Sequence, residues 1–337
     1  MLITHTNSVY SDGIITKMEN TPYPQYGHMV SDGGVAVQQG IKIMPTVLVD
    51  YVLQGTQGAA VGTLTAIQEL LQHNNHKVGL ILASGSNFWT GYLSSLKRSE
   101  EYPVNKIPIL GSTQVYAGHI ANKIGSFDYI ASDSTSCISG HSAWYAAKNL
   151  INLGKLDAVV VISTDNGLSE DYLSIFGEAG LAKVIEEEDN SDIIKFRLGQ
   201  GCNITILESY GSVLQTKNIP LAVVSDIHIT TEHHSSPLGI SSTGEGYSNA
   251  INGVNTRGVE FVKTHATFSE DNEIEETLIK QKFGNIRIVN YKLRIGHTMG
   301  ASTAIETAIA IQEEQGKFLS LGAGMGNVFS AAVVQIL

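Results

Sequence analysis

A thiol, two imidazoles and a lysine–glutamate couple are the side chains of this chain whose types and settings could do covalent chemistry. Cys137 lies in "STSCISGHSAWYAAKNL", between a strand-like run and a helix-like one. A thiol at a helix N-terminus faces unsatisfied backbone N–H groups and the positive end of the dipole. That setting favours the thiolate and predicts a lowered pKa, as a nucleophile at neutral pH needs. Free cysteine is also among the most buried residue types, so the segment alone leaves an inert core thiol equally open. His265, in "EFVKTHATFSEDNEIEE", and His297, in "RIVNYKLRIGHTMGASTAIETA", each follow a strand-like run. Such strand ends are where α/β folds gather their sites. A lone histidine there is more often structural. Two of them, in a chain with a cysteine at a strand-to-helix elbow, point to one shared site.

The elements that must position these groups alternate along the chain. Apolar, β-branched runs at 46–51, 78–83, 129–131, 158–163, 193–207, 221–229, 259–262, 286–291, 318–321 and 329–337 read as strands. Helical spacing predicts helices over 62–73, 141–153, 273–283 and 303–314. In the second of these, Ala143, Ala146, Ala147, Leu150 and Ile151 form the apolar stripe and Gly154 ends it. Alternation of this kind predicts an α/β protein with largely buried sheets. The order suggests two similar halves, each running strand, helix, strand, reactive turn, helix and a closing pair of strands. The division falls between 1–215 and 216–337. The charge run at 186–192 and the polar stretch at 228–248 read as loops. His233 and His234 inside the latter lack a third ligand at metal-site spacing, so no metal is expected.

Composition bounds the function classes. Of 337 residues, 42% are hydrophobic and 16% charged, which provides a large core. The formal charge of −11 is the wrong sign for binding nucleic acid or an anionic membrane. Two cysteines, Cys137 and Cys202, are too few for a disulfide framework and fit a reducing compartment. The N-terminus lacks the basic start and apolar stretch of a signal peptide, and no apolar run approaches a membrane span. A soluble, cytoplasmic protein is the expectation.

Five segments, in order, resemble the motifs of the β-ketoacyl-[acyl carrier protein] synthases, in the branch with a Cys-His-His triad. They are "STSCISGHSAWYAAKNLINLGKLDAVVV", "FRLGQGCNITILES", "THATFSEDNEIEE", "KLRIGHTMGASTAIE" and "LGAGMGNVFSAAVV". The resemblance implies a thiolase-like fold: two pseudo-repeated βαβαβαββ halves in a five-layered αβαβα sandwich. It implies that Cys137 accepts the acyl group, and that His265 and His297 bind the malonyl thioester carbonyl and drive decarboxylation. Lys292 and Glu306 resemble the residues that support the histidines. Thr267 and Ser269 stand where the family contacts the phosphopantetheine arm, and Gly322, Ala323, Gly324 and Asn327 form the glycine-rich C-terminal segment. By the same resemblance, the backbone N–H groups of Cys137 and Ala323 are the oxyanion donors.

The implied function is decarboxylative Claisen condensation of a Cys137-bound acyl thioester with malonyl-acyl carrier protein, in fatty acid or polyketide synthesis of a secondary-metabolic kind. A ketosynthase-fold acyltransferase that passes the acyl group to oxygen or nitrogen is the alternative, with a chain-length-factor-like partner subunit as the third reading. No intrinsic cofactor is implied, since substrates arrive on the carrier protein's phosphopantetheine. A homodimer through the strand near "SFDYIAS" is the implied assembly, or a heterodimer with a second ketosynthase-like subunit. Three departures stand out: the chain is short, Ala323 replaces a bulky phenylalanine gate, and Ser163-Thr164 replace a glycine pair expected near the nucleophile.

Overall fold

Aliphatic and β-branched runs become fully buried strands where both faces of a sheet are covered, and such strands form the centre of this molecule. The computed structural model describes residues 1–11, 15–16, 25–26, 28–31, 36–38, 45–54, 62–85, 112–167, 198–237, 239–266 and 271–337. Its main strands are β1 (Leu2–Ser11), β2 (Val78–Ala83), β3 (Tyr129–Asp133), β4 (Ala158–Asn166) and β5 (Gln200–Glu208). They continue with β6 (Ala222–Thr231), β7 (Phe261–Lys263), β8 (Arg287–Val289), β9 (Lys317–Gly324) and β10 (Val328–Ile336). Helices among the described residues are α1 (Pro45–Gln54), α2 (Thr63–Gln72), α3 (Thr113–Ile124), α4 (Ser139–Asn152) and α5 (Tyr210–Thr216). After them come α6 (Glu245–Asn252), α7 (Asp271–Phe283), the single turn α8 (Lys292–Ile295) and α9 (Ser302–Glu313).

One topology is used twice. The first half orders its strands β3-β2-β4-β5-β1 and the second β8-β7-β9-β10-β6. In the first, β2 runs parallel to β3 and β4, while β4–β5 and β5–β1 are antiparallel. The second repeats this, with β7 parallel to β8 and β9, and antiparallel β9–β10 and β10–β6. The halves join edge to edge where β1 meets β6 at Leu2↔Val223 and Ile3↔Ala222.

Three core clusters show the layering. Between the two sheets lie α4 and α9, where Ala143, Trp144 and Ile309 pack with Val159 and Val161 of one half and Val224 and Phe318 of the other. Outside the first sheet, α1, α2 and α3 set Leu48, Ile67 and Ile120 against Leu80 and Val160. Outside the second, α6 and α7 set Tyr247 and Ile279 against Leu319 and Val333. The result is the five-layer order helix, sheet, helix, sheet, helix. A helix covered on all sides must be buried all round, and every residue of α9 from Ser302 to Ile311 is. The central helices cross closely: a Cβ on Gly140 of α4 would lie 2.9 Å from the Ala304 Cβ of α9.

Residues 46–51 form part of helix α1 and not the expected strand. Leu48, Val49, Val52 and Leu53 are buried, a helical spacing, and Pro45 opens the helix at a position suited to its fixed φ. Expected strand 193–207 begins at Gln200 among the described residues, while 193–197 and the charge run 186–192 lie outside them. The stretch 228–248 is not one loop: β6 runs to Thr231 and α6 starts at Glu245. β1, α3, α5 and α6 were not legible in the sequence. Among the described residues, no helix is long and apolar enough to cross a membrane.

Candidate active site

The two central helices begin at matching elbows. In the first half β3 leads through a 3-10 turn, Ser136–Ile138, into α4. In the second, β8 leads through α8 and a 3-10 turn, Met299–Ala301, into α9. Each 3-10 turn opens on a non-glycine residue at positive φ, Ser136 at 51° and Met299 at 52°. A further one, Ala266 at 24°, follows His265 just beyond β7. Such conformations are uncommon outside glycine and persist where the surroundings over-determine them.

The restraints are visible. Ser136 Oγ accepts the Met325 N–H at 3.1 Å, and Ser139 Oγ donates to the Ser136 carbonyl at 2.6 Å. The two oxygens of Glu275 accept the N–H groups of His265 and Ala266 at 2.7 and 2.9 Å. Asp165, near the end of β4, accepts the N–H groups of Gly85 at 2.7 Å and Gly300 at 2.9 Å. A Cβ on Gly300 would fall 2.0 Å from the Gly85 nitrogen, so this meeting of turns requires glycine.

These elbows bring together the three residues singled out in the sequence. Cys137 Sγ lies 3.1 Å from His297 Nε2, and His297 Nδ1 lies 2.8 Å from Ser302 Oγ. The His265 ring meets the His297 ring edge-on, with centroids 5.5 Å apart. All three residues are buried. His265 Nδ1 is buried with no hydrogen-bond partner among the described residues, so it is a polar atom left for something else to satisfy. Beneath the histidines, Glu306 accepts from two ammonium groups, Lys292 Nζ at 2.5 Å and Lys263 Nζ at 3.0 Å.

Burial reverses the expected state of the thiol. The Cys137 pKa is pushed up to about 11, chiefly because burial strips water from the thiolate; the Ser136 hydroxyl and the Lys292 charge offset only part of that. Both imidazoles are held well below the usual histidine range, first by burial and next by the Lys292 charge. The pair at pH 7 is therefore a neutral thiol against a neutral imidazole. With Nδ1–H donated to Ser302 Oγ, the Nε2 lone pair faces the thiol and can take its proton as the sulfur attacks.

The same burial predicts acid lability. His141, buried between Ser330 Oγ at 2.9 Å and Ser320 Oγ at 3.2 Å, is likewise held well below the usual range by burial. His141, His265 and His297 stay neutral in the folded chain while the unfolded chain protonates near pH 6.5. Each therefore removes up to about 1.4 kcal/mol of stability per pH unit below that point. Calorimetry should show a melting temperature that falls steeply below pH 6, and His141→Gln should make the fall shallower.

Other expected site residues separate. Gly324 is the strand residue set against the nucleophile; its Cβ would lie 3.2 Å from the Cys137 nitrogen. Gly322 faces the central layer, at Thr303 and Ile138. The Ala323 methyl packs in the outer cluster with Tyr247 and Phe329, so it does not stand as a gate over the thiol. Asn327 donates to the carbonyls of Ser236 and Gly239 and anchors that segment instead of lining the site. Thr164 faces away too: its hydroxyl donates to the Gly201 carbonyl at 3.3 Å, and it stands opposite Cys202, a buried core residue. Thr267 and Ser269 lie outside the described residues. Among the described residues, no group of three or more potential metal ligands occurs. Sequence reasoning missed Lys263, Glu275, Asp165 and Ser302. The signal for Lys263 was a lone charge inside the apolar run "EFVKTHA"; Glu275 was masked by its acidic neighbours.

Residues 63–209 match the family model of the β-ketoacyl synthase N-terminal domain. That segment, under half of the chain, is similar to the N-terminal domain of β-ketoacyl synthases. Among curated relatives, 3-oxoacyl-[acyl-carrier-protein] synthase I of Arabidopsis thaliana chloroplasts is 24% identical over 53% of this chain and 41% of its own. Nodulation protein E of Rhizobium leguminosarum bv. trifolii is 23% identical over 72% of this chain and 64% of its own. The chain thus spans about half the length of the curated synthases it matches. Among solved structures, a type II polyketide ketosynthase complex with its acyl-carrier protein, bound to the hexaketide, superposes with a TM-score of 0.72. Identity there is 18%, over 82% of this chain and 83% of the other. A ketosynthase–chain length factor complex from Xenorhabdus doucetiae superposes at 0.68 and 13% identity, over 100% of this chain and 98% of the other. At such identities the likeness is one of fold, and the five-layer order of this chain is that thiolase-like fold.

Proposed function

We propose that the chain is a β-ketoacyl synthase that condenses an acyl group held on Cys137 with a malonyl group on acyl carrier protein. The carrying observation is the 3.1 Å contact of Cys137 Sγ with His297 Nε2, with His265 edge-on beside it. In the first half-reaction the Cys137 sulfur attacks the incoming thioester carbonyl. His297 Nε2 takes the thiol proton and returns it to the departing carrier thiolate. Once the thioester forms, no thiol proton faces Nε2. Exchange with water then takes the proton from Nδ1 and places one on Nε2, and the Ser302 hydroxyl, which can donate as well as accept, turns to donate to Nδ1. Loss of CO2 from the malonyl group puts charge on its thioester oxygen, where the N–H groups of His265 and His297 converge. The resulting carbon nucleophile attacks the Cys137 thioester, the C–S bond breaks, and the sulfur takes up a proton from His297 Nε2, which water replaces on the ring.

The finer features follow the same reading. The halves divide at 215/216, at the C-terminal end of α5. Thr267 and Ser269 hold the pantetheine arm, Lys292 and Glu306 support the histidines, and acyl carrier protein is the docking partner in the cytoplasm. Among the described residues strand β3 pairs on one edge only, with β2, and its other edge is the one that would take a second copy or a ketosynthase-like subunit.

Intact-mass spectrometry after incubation with an acyl-carrier thioester should show one acyl adduct, absent in Cys137→Ala. Addition of malonyl-carrier protein should then release CO2 and return the free thiol. No adduct, or an adduct that survives Cys137→Ala, overturns the nucleophile. Acylation without CO2 release overturns condensation in favour of acyl transfer.

A further inference from the structure

Lys263 is the least expected charge in the molecule. It ends β7, two residues before His265, and its side chain has 0% exposure. Its ammonium donates to Glu306 Oε2 at 3.0 Å and to the Leu321 carbonyl at 2.8 Å. Glu306 sits on α9, the helix that follows His297, and Leu321 on β9, the strand that ends at Gly324 against Cys137. One ammonium therefore ties together three elements that converge on the site. Lys292, from α8, already neutralises Glu306 on its other oxygen, so Lys263 is not needed to pair that carboxylate.

We propose that Lys263 is a positioning residue of the site, a tethered cation that fixes Glu306 between two ammonium groups and locks the His265 strand to the helix and strand bearing its partners. The groups facing it are Glu306 on α9, Lys292 on α8, Glu275 on α7, both site histidines, and His141 on α4. Its charge adds to that of Lys292 in keeping His265 and His297 unprotonated. The steps it supports rest on the proposed ketosynthase reading, but the imidazole titration described next does not.

Lys263→Met removes the charge and leaves Glu306 paired with Lys292, so no carboxylate is orphaned. Lys263→Gln keeps a donor for Leu321 without the charge and serves should the methionine variant not fold. In the full-length protein, proton NMR titration of the histidine ring signals should show His265 and His297 protonating about half a unit or more higher in pH than in the wild type, since a neighbouring cation is gone. Alkylation of Cys137 by iodoacetamide should lose rate on its acid side over the same window. Malonyl decarboxylation should fall about 10- to 100-fold in kcat with KM little changed, as misplacement without lost binding predicts. Unshifted titrations and unchanged kcat in a folded variant overturn the proposal, and failure of both variants to fold makes Lys263 a purely structural group. Shifted titrations with no decarboxylation by the wild type would uphold Lys263 and sink the condensation reading instead.

Discussion

Replacing Glu306 by leucine should cost about 3–5 kcal/mol of stability, the penalty for breaking a buried ion pair from one side. Glu306 is the only partner by which the Lys292 ammonium is neutralised within hydrogen-bond reach among the described residues, and it also accepts from Lys263. The substitution would leave two cations at 0% and 2% exposure with Glu275 as the remaining carboxylate that faces them, outside ion-pair distance among the described residues. Relief can come only by deprotonating a lysine or by opening the central layer to water. Urea unfolding should report the loss as a lower midpoint at an unchanged slope, with partial recovery at pH 10, where a lysine can shed its proton. Glu306→Gln, which keeps acceptor and shape, should lose less. A midpoint within error of the wild type for Glu306→Leu would mean that the cluster is not closed to solvent.

The second large effect separates the two histidines. His265→Ala should lower malonyl decarboxylation about 100- to 1000-fold, the usual effect of losing one preorganised donor. Acylation of Cys137 should survive nearly intact, because His265 meets the His297 ring and not the sulfur. His297→Ala should depress both steps, since its Nε2 is the group at the thiol and the thiol is too weak an acid at about 11 to ionise unaided. Single-turnover acylation by mass spectrometry, alongside CO2 release, distinguishes these outcomes. Equal loss of acylation in both variants would refute the division of labour between the rings.

Much of this was legible in the sequence because the signals were local. The strand "AVVVIS" and the stripe of α4 carry their period in adjacent residues, and the repeated order of elements follows from such runs. Cys137 and His297 could be picked out because each stands at a strand-to-helix junction. What stayed hidden depends on partners distant in the chain. β1, "LITHTNSVYS", alternates weakly because its polar side chains Thr6, Asn7 and Ser8 are satisfied by Asn203, Thr205 and Thr63. The valines of α1 mimic a strand until the buried positions 48, 49, 52 and 53 reveal a helical face. The thiol's raised pKa is set by closure of the whole central layer, which no window around Cys137 contains.

Cys137 belongs to one repeat and both imidazoles to the other, and the helices behind them touch at Gly140 and Ala304. The 3.1 Å from sulfur to ring nitrogen is therefore a gauge of how the two halves are aligned. A slip of α4 along α9 would lengthen that contact and slow the thiol. The reactivity of this one sulfur thus doubles as a strain sensor for the seam of the molecule, readable with a small alkylating reagent alone.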